Sequence, residues 1–351
     1  MNSLIALPVH NRRWLKRLSI MLAAVIAISV FVFAPSNAQA PAAPKAYVGI
    51  FKDNVVAVID TGTNTVLSTI PVPTGPHGLV ITADGHWVYV SSDGDTKVSV
   101  IDTSTDTVTD TIEVGKAPHG LALTPDGKQV LVAVSGEDKV AVIDTSTNKV
   151  TAQLSAPKPH NIAITPDGKL AYVAAQKDGV TGLVILNLTD GTQAGVVPLD
   201  TAPRALNFSP DGKQLYFTVL NVDAVQVLDP ATNKVTTQIP VGASPHHPLF
   251  TADGEYALVV SQKTNELNII DPKTNKIDAK ITVGTLPHWI ALSADGKMAY
   301  VTNENSNDVS VVDLAQDKVV ATIPVGQAPR KIVIQPAVAM AEMTPEATTA
   351  Q

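Results

Sequence analysis

The sequence predicts an all-β fold, a seven-bladed β-propeller of four-stranded antiparallel blades. Three observations lead there. A Pro-His or Pro-Arg step recurs at Pro76-His77, Pro118-His119, Pro159-His160, Pro203-Arg204, Pro245-His246, Pro287-His288 and Pro329-Arg330, at intervals of 42, 41, 44, 42, 42 and 42 residues. Seven copies at one period near 42 are the mark of a repeat architecture. Within each copy apolar residues alternate with a period of two, and Val, Thr, Ile and Ala supply the core, which favours strands over helices.

In chain order, Arg12-Arg13-Trp14-Leu15-Lys16-Arg17 forms a positive segment ahead of a 16-residue apolar run, Leu18 to Phe33. Small residues follow, with Ser36-Asn37-Ala38 and Ala38-Gln39-Ala40 as cleavage sites. Residues 1–40 therefore read as a signal peptide, by the Sec or the twin-arginine route, with a retained membrane anchor as the alternative. A periplasmic, secreted or cell-surface location is expected, and membrane contact only if this segment is kept. Pro41-Ala-Ala-Pro44 reads as an extended linker over residues 41–45. The propeller is assigned to 46–336 and a disordered tail to 337–351.

Each repeat divides into four strands. The first follows Pro-His and closes at an Asp-Gly turn, as at Asp84-Gly85 and Asp295-Gly296, where Gly accepts positive φ. The second carries Tyr89-Val90, Tyr172-Val173 or Tyr300-Val301. The third ends in Asp60, Asp102, Asp144, Asp229, Asp271 or Asp313, with Asn187 in the remaining copy, and these side chains are placed to bond the backbone of the turn that follows. The fourth holds Pro71, Pro240 and Pro324 at one shared position, which suits an outer edge because proline cannot donate to a ladder. Tyr47 to Val72 supplies strands two to four of a blade, and Lys331 to Gln335 a lone first strand, so the two chain ends should complete one blade and seal the ring.

No blade has a Trp-Asp pair. The literal Tyr300-Val301-Thr302-Asn303, with Tyr89-Val-Ser-Ser92 and Tyr172-Val-Ala-Ala175, resembles the YVTN family of β-propeller repeat proteins, the YncE-like group, over about residues 46 to 336. That resemblance implies exported or cell-surface propellers, with distant kin among quinoprotein-like and cytochrome d1-type propellers, and no shared reaction.

Composition narrows the function. The chain has no cysteine, which excludes disulfides, thiolate metal sites and thioether-linked haem. Its formal charge of −7 becomes −11 once the four cations of residues 1–40 leave, so phosphate-backbone binding to nucleic acid is not expected. No nucleophile elbow, Walker A loop or dinucleotide fingerprint occurs.

The candidate site is the ring itself. His77, His119, His160, Arg204, His246, His288 and Arg330 should surround one mouth of the central channel, with His247 and Trp289 directly after two of them. Two guanidiniums, and imidazoles that become cations as pH falls through about 6 to 7, suit a small anionic ligand or an acidic partner protein. No cofactor is expected. The alternative is a transition metal on two or three imidazoles, or a channel enzyme such as a lactonase-like hydrolase, though the ring shows no carboxylate at its repeat positions. A monomeric binding or scaffold protein is the reading these residues favour.

Overall fold

The computed structural model describes residues 43–336. The expected signal peptide and tail lie outside the described residues. Strand β1 (Lys45–Ile50) begins one residue earlier than expected, and is followed by β2 (Val55–Asp60) and β3 (Thr65–Pro71). They pair in sequence order, and β28 (Pro329–Ile334) completes the sheet in the order β28-β1-β2-β3. Ala46 lies opposite Ile334 and Tyr47 opposite Val333, so the expected closure of the ring by the chain ends is present. The other six sheets each contain four consecutive antiparallel strands. Among the described residues no helix is long and apolar enough to cross a membrane.

The first strands form the inner wall: β4 (Pro76–Ile81), β8 (Pro118–Leu123), β12 (Pro159–Ile164), β16 (Pro203–Phe208), β20 (Pro245–Phe250), β24 (Pro287–Leu292) and β28. Each contacts the next, and β28 contacts β4, closing the circle. Middle strands are buried on both faces, whereas fourth strands such as β3 are almost wholly exposed. That gradient is why Pro71, Pro240 and Pro324 are tolerated there.

Two local devices hold the blades. The Asp or Asn ending each third strand accepts a backbone N–H two residues on, as Asp60 does from Gly62 at 2.8 Å and Asn187 from Thr189 at 2.9 Å. In six of the seven turns that follow, an Asn or Asp stands at positive φ, with Gly191 in the other, and the next contact joins neighbouring blades. The hydroxyls of Tyr47, Tyr89, Tyr172, Tyr216 and Tyr300 donate to Asp106, Asn148, Asn233, Asn275 and Asn64 at 2.6 to 3.1 Å. All five acceptors sit at φ between 52° and 55°, a conformation that Asn and Asp adopt more readily than other side chains. Tyrosine in the second strand and Asn or Asp in the turn are thus one interblade latch. Apolar clusters fill the space between, for example Leu131, Val140 and Val142 against Ala171, Val173 and Val184.

Candidate functional site

Each ring residue is delivered by a bulge. Pro76 lies opposite Ser92 and Leu79 opposite Val90, so His77 and Gly78 together face Ser91 alone. The same register shift occurs at the start of every first strand. An inserted residue re-aims its neighbours, here sending the residue after proline toward the axis. The residue before proline has positive φ in six of the seven turns: Gly75, Ala117, Lys158, Ser244, Leu286 and Ala328. In five of them its N–H donates to the preceding blade's Asn54, Asp138, Asp223, Asn265 or Asn307, at 2.9 to 3.0 Å. These clamps hold a backbone that is otherwise unfavourable for a non-glycine residue ahead of proline.

The expected ring is assembled. The imidazole centroids of His77 and His119 are 3.8 Å apart, those of His119 and His160 3.9 Å, and those of His246 and His288 4.3 Å, each pair tilted by 37°. His288 reaches His77 at 5.5 Å, past Arg330. The channel is therefore plugged at this mouth by stacked rings. His77, His246 and His288 are only 6%, 2% and 2% exposed.

The ring's charge differs from the expectation. Burial, reinforced by neighbouring imidazoles and by Arg330 or Arg204, holds His77, His119, His246 and His288 well below the ordinary histidine value. Burial pushes His160 down to about 4, against an opposing bond to the Arg204 carbonyl. The imidazoles are neutral at pH 6 to 7 and do not supply the cations foreseen from their ordinary titration. Both guanidiniums are engaged. Arg330 pairs with Glu304 at 2.9 Å and lies over the Phe51 ring at 4.9 Å, while Arg204 donates to Gln262 Oε1 at 2.7 Å and Ser244 Oγ at 3.2 Å.

Carboxylates enter from a position the sequence reading passed over, the residue just after the second strand. In successive blades it is Phe51, Asp93, Ser135, Gln176, Leu220, Gln262 and Glu304. Asp93 Oδ2 lies 3.8 Å from His119 Nε2, and burial raises its carboxyl to about 7. Ligand atoms of His77, His119 and Asp93 all lie within 4.8 Å of one another. His119 Nδ1 is 2.9 Å from the His160 carbonyl and His160 Nδ1 2.9 Å from that of Arg204. A carbonyl only accepts, so both Nδ1 atoms carry hydrogen, and each Nε2 presents a lone pair. Four buried polar atoms of the ring and its carboxylate have no hydrogen-bond partner: Asp93 Oδ1, His246 Nδ1, His288 Nδ1 and Arg330 Nε. Buried polar atoms are rarely left so.

His247 and Trp289 are not in the ring. The bulge turns them past it, onto the floor of a cavity on the far side, where their rings stack at 3.6 Å. His247 Nδ1 accepts the Ile290 N–H at 3.3 Å, and burial holds this imidazole neutral also.

The structure is similar to a protein of unknown function from Desulfotomaculum acetoxidans, with a TM-score of 0.73 and 16% identity over 83% of this chain and 99% of that one. It is also similar to hydrazine synthase of Kuenenia stuttgartiensis, with a TM-score of 0.69 and 22% identity over 76% and 91%. A third likeness is to the dihydro-heme d1 dehydrogenase NirN, with a TM-score of 0.63 and 16% identity over 85% and 77%. At these identities the likeness is one of fold. No curated protein matches by sequence. The model of the YNCE-like beta-propeller family matches residues 45–124 and 86–187. Over those residues the chain is a YncE-like β-propeller, and the same repeat continues around all seven blades.

Proposed function

We propose that this protein is an exported binding propeller whose channel mouth holds a divalent transition-metal ion on His77, His119 and Asp93. The observation that carries the reading is the convergence of two neutral imidazoles and a carboxylate within 4.8 Å, with Asp93 Oδ1 buried and unpartnered. Two imidazoles and one carboxylate suit zinc or a similar first-row ion and leave coordination positions open. A neutral imidazole with its Nδ1 hydrogen tied to a carbonyl, as in His119, is the ligand form such an ion requires. An anion finds less here, because the imidazoles are neutral and Glu304 already offsets the charge of Arg330, whose Nε alone is left without a partner. Export to the periplasm or cell surface is supported by the charged, apolar and small-residue order of residues 1–40.

A second reading rests on Asp93 alone. A carboxyl raised to about 7 beside an imidazole can act as a base, as a lactonase-like hydrolase would need. Elemental analysis of tag-free protein, then zinc titration after chelator treatment, tests the first reading. One ion per chain is expected, lost in His77→Ala/His119→Ala. Equal uptake by that double variant would overturn the assignment. Lactone turnover by the chelator-treated protein, abolished by Asp93→Asn, would favour the enzyme.

A further inference from the structure

At the opposite end of the channel the inner strands line an open cavity of about 620 Å³. Its wall is apolar, with Leu79, Leu123, Ile164, Phe208, Phe250 and Leu292 among its residues. Lys331 is the single charged side chain lining it. This lysine occupies the residue after the ring position, which the other blades fill with Gly78, Gly120, Asn161, Ala205, His247 and Trp289, none of them a cation. Its Nζ lies 4.7 Å over the Trp289 ring and donates to the Leu121 carbonyl on another blade at 3.2 Å. Among the described residues no carboxylate is within ion-pairing distance of it.

An ammonium has three hydrogens, and only one is taken by Leu121. A cation facing an apolar space without a counter-ion is costly, and burial lowers this amine to about 7; an anion paired with Nζ would restore the charged form. The size of the space suits a small organic molecule. The Asp-Gly turns at this end carry six aspartates and Glu255 against Lys128, Lys169, Lys213 and Lys297, a net negative rim that disfavours an approaching dianion more than a monoanion. We propose that the cavity binds a monocarboxylate with an apolar body, its carboxylate paired with Lys331 Nζ and its body against the strand walls. The site stands apart from the metal reading and does not depend on it.

Octanoate and 1-octanol are the probes, titrated into the full-length protein by calorimetry, with tryptophan fluorescence reporting on Trp289. Octanoate should bind saturably at one site, at least tenfold more tightly than octanol. Lys331→Met should lose at least tenfold for octanoate and keep its octanol affinity. Equal affinity of the wild type for the two probes overturns the proposal without needing any variant to fold. So does the absence of saturable octanoate binding, or unchanged octanoate affinity in Lys331→Met.

Discussion

The plugged channel mouth makes the propeller sensitive to acid, and His160 isolates the effect. Its imidazole is held at about 4 in the folded chain, against an ordinary value near 6.5 when unfolded. Between those values the unfolded state binds the extra proton, so stability is complete above about 6.5 and falls as pH drops toward 4. The loss approaches about 1.4 kcal/mol per pH unit, or ~2 kcal/mol at pH 5 and ~3 kcal/mol by pH 4. Asp93 runs the other way. Its carboxyl, raised to about 7, keeps its proton in the folded state while the unfolded chain releases it, so it gains stability on acidification. Total acid sensitivity therefore mixes opposing contributions, and the informative quantity is the difference between wild type and His160→Gln. Glutamine retains a donor for the Arg204 carbonyl but does not titrate. In chelator-treated protein followed by circular dichroism, the wild type should lose about 4 °C more than the variant between pH 7.5 and pH 5, for a domain of this size. Superimposable shifts would show that His160 titrates alike in both states, and the account of a neutral, desolvated ring would fail.

Two further substitutions probe how the ring is held. Removing the hydroxyl in Tyr216→Phe leaves Asn275 Oδ1 without its donor at 2.9 Å, and a double-mutant cycle with Asn275→Ala, read by urea denaturation, should give a coupling of ~1 kcal/mol; additive effects would deny the interblade latch. A methyl group in Gly78→Ala would meet the His119 carbonyl and, at 2.7 Å, Ser91 Oγ, so the bulge should not accommodate it without ~1–3 kcal/mol of destabilisation, measured as a lower melting midpoint.

What could be read from the chain beforehand divides along one physical line. Features that every blade must share repeat every 42 residues, and repetition makes them visible: the Pro-His step, the Asp-Gly turn, the Asp ending the third strand, and proline on the outermost strand. The closing blade was legible for the same reason, as missing and surplus pieces of one period. The bulge was not. Its signature is a register shift between strands, and Pro76-His77-Gly78 looks like continuous strand until its partner is known. Asp93 and Glu304 escaped because their position is occupied by Phe, Asp, Ser, Gln, Leu, Gln and Glu in turn, with no pattern to notice. Lys331 escaped as one more residue of a strand.

That lack of pattern is itself the signal. Structural positions in a propeller face the same surroundings in each blade and converge on similar residues, as the Tyr and Asn latch does. A ligand on the axis breaks the symmetry, since it meets each blade from a different side. The chemically distinctive groups should then lie where the repeat departs from itself. Asp93 against Ser135, Glu304 against Leu220, and Lys331 against Gly78 are departures of that kind, and all three face the central channel. The imidazoles were legible as a ring, but their charge was not. It depends on how tightly seven turns converge, and centroid spacings near 4 Å leave no room for the water that a protonated ring would need. A set of side chains that reads as basic in sequence becomes, once packed, a set of neutral donors and lone pairs. Such a set favours an ion that accepts lone pairs over an anion seeking positive charge.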